Sequence, residues 1–130
     1  MKHAKAVDLG LLVLRVGAGV LLMFHGWGKV SDLLAGQTGF ADPLGVGPLP
    51  SKILAALAEF VCAGLVVLGV KVRWTAVPPL VTMLVAFLIV HAADPMGDKE
   101  LALVYAVAFL ALVLAGGGRY TLERFWKQRR

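Results

Sequence analysis

Four apolar segments of near-membrane length, separated by charged or Gly- and Pro-rich breaks, set the pattern of this chain. The clearest runs from Leu101 to Gly118, eighteen residues without a formal charge, and is followed by Arg119, Tyr120 and a basic tail. A helix of that length at ~1.5 Å per residue approaches the ~30 Å hydrocarbon core of a bilayer. The pattern predicts helices over about 8–29, 51–70, 74–92 and 99–116, with an amphipathic basic segment over 119–130. Between the first two lie Gly36, Gly39, Gly45, Gly47, Pro43, Pro48 and Pro50, which predict a loop long enough to cover something. Ser51 then stands as a candidate N-cap of the second helix. Pro78 and Pro79 fall early in the third and predict a bend. Pro95 closes the third helix, and Asp98 is placed to cap the fourth.

Composition removes the soluble alternative. Of 130 residues, 59% are hydrophobic and 16% charged, too few charges to clothe a water-soluble core of ordinary size. The length supports a single domain over 1–130. The net charge of +5 is topological. Lys2, Lys5, Lys71, Arg73, Arg119, Arg124, Lys127, Arg129 and Arg130 lie outside the apolar runs, while Asp32, Asp42, Asp94, Asp98 and Glu100 occupy the alternate loops. The positive-inside rule then predicts an antiparallel bundle of four transmembrane helices in the plasma (inner) membrane, with both termini cytoplasmic. The first helix resembles a signal peptide, but Arg15 interrupts it and a small-x-small cleavage site is missing, so it is expected to stay uncleaved. Nucleic acid is excluded as the partner of the basic tail in favour of an anionic membrane surface.

Charged and polar groups inside apolar runs are where function is sought. Arg15 in the first helix and Glu59 in the second are separated by an axial offset of roughly 8 Å, which an Arg side chain spans, so they are expected to pair. His25 and His91 fall at similar depth, with Glu59 one to two turns away and Tyr105 reaching in from the fourth helix. Two imidazoles, a carboxylate and a phenol can exchange protons with a quinone head group. The candidate catalytic residues are therefore Glu59, His25 and His91, and the candidate ligand-binding residues Arg15, Lys29 and Tyr105. Quinone is the preferred cofactor. His25 and His91 as axial ligands of haem are a lesser alternative, and no short-range spacing marks a metal site. Cys62 is the sole cysteine, which excludes dithiol chemistry within the chain.

These polar positions sit in short motifs. Leu14-Arg15-Val16-Gly17, Phe24-His25-Gly26-Trp27-Gly28-Lys29, Ala58-Glu59-Phe60 with Gly64 and Leu68-Gly69, Met83, and the closing Gly116-Gly117-Gly118-Arg119-Tyr120-Thr121-Leu122-Glu123 resemble the DoxX family of small four-helix membrane proteins. The resemblance spans roughly Leu9 to Arg124 and departs at Thr121-Leu122-Glu123, where the family often has Ser-Leu-Asp. It implies association with quinol oxidase and thiosulfate:quinone oxidoreduction, or with membrane redox defence involving a superoxide dismutase and a sulfurtransferase. The resulting expectation is an accessory or small catalytic subunit of quinone-linked redox metabolism, acting with membrane lipid, as a homo-oligomer or in a larger complex with a redox enzyme. Two alternatives stand beside it: a non-enzymatic scaffold that docks a partner enzyme, and a small-molecule carrier acting as an oligomer.

Overall fold

Residues 2–129 are described by a computed structural model, and all regular structure in them is helical. Met1 and Arg130, the last cation of the expected tail, lie outside the described residues. Helix α1 runs His3–Leu34, α2 Pro48–Leu68, α3 Val72–Val90, α4 Met96–Ala115 and α5 Leu122–Gln128. Three of these, α1 to α3, are long and apolar enough to cross a membrane. Helix α4 is 20 residues long but opens with Asp98, Lys99 and Glu100.

The helices begin and end differently from the sequence expectation, for local reasons. Gly28 and Lys29 do not stop α1, which continues for another turn to Leu34. Helix α2 starts at Pro48 rather than Ser51, because prolines in a first turn lack only N–H groups that would have no helical partner. Asp98 is not the cap of α4; it lies in the first turn, and Pro95 holds the N-cap position. Both α2 and α3 contain a π-helical stretch, Leu57–Cys62 around Glu59 and Ala86–Val90 just before His91. Regular α-geometry in α3 is also interrupted at Ala76, two residues ahead of the proline pair.

Helix α1 packs on α2 and α4, and α3 packs on α2 and α4. The register of contacts makes both close pairs antiparallel. Gly19 lies against Ala63 and Val67, whereas Gly26 lies against Glu59. Arg73 approaches Ala115, whereas Lys99 covers the Phe87 ring at 4.7 Å. The core holds Leu22, Ala63, Val66, Met83, Tyr105, Phe109 and Leu112. Outside it, Val13, Phe24, Leu88 and Leu114 are exposed, as lipid-facing side chains would be.

The molecule has two chemically distinct ends. At the tail end, buried Arg15 donates to the carbonyls of Gly117 at 2.8 Å, Tyr120 at 2.7 Å and, more weakly, Val67 at 3.4 Å. Asp8 accepts from the Arg119 N–H and Glu123 from the Lys71 N–H. Thr121 caps α5 by accepting from Arg124 N–H. It also fits against Gly69, where φ is +81° and a Cβ would sit 2.6 Å from the Thr121 Cβ. At the loop end, residues 35–47 fold back over the helices. Asp42 accepts from the N–H groups of Val46 and Gly47 and the Ser51 hydroxyl. Lys52, only 4% exposed, reaches Asp32 and the Gln37 and Gly39 carbonyls.

Candidate functional site

The loop end encloses a cavity of ≈ 670 Å³ between α1, α2, α3 and α4. Its polar wall is made by His25, Lys29, Glu59, His91 and Tyr105, with Asp98 and Lys99 from the first turn of α4. The remaining wall is largely aliphatic, and Phe40, Pro43 and Leu44 of the loop form its ceiling. Five of the six residues singled out in the sequence therefore meet at one cavity.

Arg15 does not. It is 2% exposed and committed to backbone carbonyls at the opposite end, so the expected Arg15–Glu59 pair is absent. Glu59, 3% exposed, pairs instead with Lys29, whose Nζ donates to Oε1 at 2.9 Å. Two features bring these residues together. Helix α1 continues through Lys29, and Gly26, one turn earlier, has no side chain to hold α2 away. A Cβ on Gly26 would lie 2.6 Å from the Glu59 carbonyl carbon. Small residues permit such backbone approach between membrane helices. The π-helical turn at Leu57–Cys62 carries Glu59, a distortion frequent at functional sites.

His25 meets Tyr105 edge to face, with ring centroids 5.8 Å apart, across the α1–α4 contact. Lys29 also lies 5.9 Å from the centre of the Phe40 ring, linking the ion pair to the ceiling. The His91 Nδ1 is 2.8 Å from Asp94 Oδ2, which fixes the ring at the end of α3. Asp42 holds the ceiling outside the apolar spans. Its desolvation opposes ionisation, but hydrogen bonds from Ser51, Gly47 and Val46 prevail and set its carboxyl below the usual value.

Several participants were not legible as such. Lys29 is a ligand-binding candidate in the sequence, but its pairing with Glu59 is not anticipated there, where Arg15 is the expected partner. Lys52 and Asp42 were unassigned, although a Lys four residues into a helix that follows a Gly- and Pro-rich loop is a detectable signal. Among the described residues, no three His, Cys, Asp or Glu side chains converge as a metal site would require. The arrangement can hold a planar polar group by hydrogen bonds from Lys29, Tyr105 and His25, with Glu59 able to take or give a proton.

The DoxX family model matches residues 10–92, from early α1 through the end of α3. The chain is similar to the inner membrane protein YqjF of Escherichia coli, 31% identical over 130 residues and covering 96% of this chain and 98% of that one. It is 29% identical over 126 residues to a Haemophilus influenzae protein named "Uncharacterized protein", covering 91% and 92%. It is 27% identical over 122 residues to a Bacillus subtilis protein named "Putative oxidoreductase CatD", covering 93% and 90%. No solved structure matches the chain.

Proposed function

This chain belongs to the DoxX family of membrane proteins, and from that premise we propose that it is an accessory or small catalytic subunit of quinone-linked redox metabolism. It is an inner-membrane protein. In this reading α1 to α4 form an antiparallel four-helix transmembrane bundle with both termini cytoplasmic, which puts the cavity in the outer half of the bilayer. The alternation of basic tail-end and acidic loop-end residues supports that orientation.

The observation that carries the functional reading is the Lys29–Glu59 ion pair, its carboxylate buried, in the polar wall of a largely apolar cavity. Ionisable groups are expensive at membrane depth and mark ligand or proton pathways when they face a cavity. A quinone fits the donor set, since each carbonyl oxygen accepts hydrogen bonds and the aliphatic wall suits an isoprenoid tail. When bound, it supplies two-electron, two-proton chemistry. Lys29 and Tyr105 hold and orient the head group, and Glu59 and His25 hold or move protons beside it. His91, fixed by Asp94 at the outer end of α3, exchanges protons there with the aqueous side. Arg15 has no part at this site. With one cysteine in the chain, electrons are assigned to a partner enzyme. The oxidoreductase name of the Bacillus subtilis relative agrees with such a role.

Mild-detergent purification followed by extraction of bound lipids tests this. A stoichiometric quinone with wild type, lost in a folded Glu59→Gln variant, is expected. Absence of quinone together with a reproducible protein partner would replace it with the scaffold function.

A further inference from the structure

The ceiling and the mouth of the cavity are made of different material. Over the loop end, Asp42 and Lys52 strap residues 35–47 down, and Phe40, Pro43 and Leu44 close the direct route to water. Between α2 and α3 the wall is incomplete. The Pro48–Ala56 half of α2 packs on α1, and the Ala86–Val90 end of α3 packs on α4. Packing between α2 and α3 is made lower down, by the π turn Leu57–Cys62 against Val77–Val85.

Three aliphatic residues flank the gap, Val81 beside that contact and Leu54 and Val90 above it. Leu54 of α2 and Val81 and Val90 of α3 line the cavity, yet they are 56%, 50% and 42% exposed. Lining residues that face outward where the two helices do not pack on each other mark a mouth of the cavity. Leu54 lies six residues from the end of α2 and Val81 nine from the end of α3, about 9 Å and about 14 Å inward at ~1.5 Å per residue. Both depths fall within helices apolar enough to span a membrane, so this mouth opens onto hydrocarbon.

We infer that the α2–α3 gap is a lateral portal through which a membrane-dissolved amphiphile enters head first, leaving its apolar tail between Leu54 and Val81. The inference rests on the proposed function for the nature of the head group, and it adds the source and tail of the ligand. A ligand taken from water would need a polar mouth and an open ceiling. At this gap the flanking groups are aliphatic, whereas Glu59 and Tyr105 are buried and Lys29 is half-buried in the cavity wall. That order matches a polar head on an isoprenoid chain.

The test uses the full chain in lipid nanodiscs, with Cys62→Ser removing the native thiol and Ala58→Cys placing a new one on the cavity wall. A long-chain N-alkyl maleimide is compared with a charged sulfonated maleimide. The alkyl reagent is expected to modify the new thiol faster, and Val81→Trp or Leu54→Trp to slow it about tenfold by filling the mouth, since thiol modification follows access. Either portal variant suffices if the other fails to fold. Equal or faster reaction with the charged reagent, unaffected by both tryptophans, would overturn the portal. Adding an isoprenoid quinone should protect the thiol. Portal behaviour without that protection would leave the lateral route standing and remove the quinone reading.

Discussion

Arg15 and Tyr120 stand 105 positions apart in the chain, and the guanidinium of one donates to the carbonyl of the other at 2.7 Å. With the Gly117 carbonyl at 2.8 Å, this contact fastens the segment after α4 to the middle of α1. Burial of a cation against carbonyl dipoles, with no carboxylate among its partners, makes Arg15 a structural clamp. Arg15→Leu should destabilise the protein by about 1–3 kcal/mol for the acceptors left unpaired. Thermal unfolding in detergent should show this loss while ligand binding in the remaining folded protein is unchanged. Reduced binding at full stability would return Arg15 to the site.

Gly26 and Gly28 are two residues apart on one helix and should respond oppositely to alanine. At Gly26 the new Cβ would meet the Glu59 backbone at 2.6–2.7 Å, forcing α1 and α2 apart and stretching the Lys29–Glu59 pair. Overpacking of this kind costs about 1–3 kcal/mol, and loss of quinone should accompany it. Gly28 has nothing within 4 Å of such a Cβ, and alanine there should be neutral or stabilise by up to about 1 kcal/mol through helix propensity. Paired melting curves decide.

Acid should loosen the tail end. The Lys71 N–H lowers the Glu123 pKa, burial partly opposes it, and Lys127 adds to the lowering. Because the folded-state value lies below the unfolded one, the unfolded chain takes up the proton first. The stabilisation is therefore complete above the ordinary carboxylate range and fades as pH falls through that range towards the depressed value. Wild type should lose more thermal stability than Glu123→Gln over this acidic window. Parallel curves for the two proteins would show that the Glu123–Lys71 contact contributes nothing.

Asp42→Ala should release the cavity ceiling by removing the acceptor shared by Val46, Gly47 and Ser51. Limited proteolysis should then cut faster between Leu34 and Pro48 with little change in global melting, since loops open locally at low free energy. An unchanged cleavage rate would place the restraint on Lys52 alone.

The helical stretches were legible because apolar runs bounded by Gly, Pro and charge leave little choice of element. Boundaries were less so. Pro48 and Pro50 carry the same loop signal whether they precede a helix or begin one, and Lys29 looks like a terminus although α1 passes through it. Position along each helix axis was readable from the sequence, which is why His25, Glu59, His91 and Tyr105 line one cavity. Rotation about each helix axis was not. Glu59 has Arg15 and Lys29 within plausible axial reach, and the choice between them turns on the close approach at Gly26 and on carbonyls that the tail brings to Arg15.

The most direct measurement is infrared difference spectroscopy of the reconstituted protein with a quinone isotopically labelled at its carbonyls. Donation from Lys29 weakens a carbonyl bond, so the labelled stretch should move to lower frequency on binding and return towards its free position in Lys29→Met. A labelled band that stays at the frequency seen in protein-free membranes would contradict a quinone head group at the Lys29–Glu59 pair.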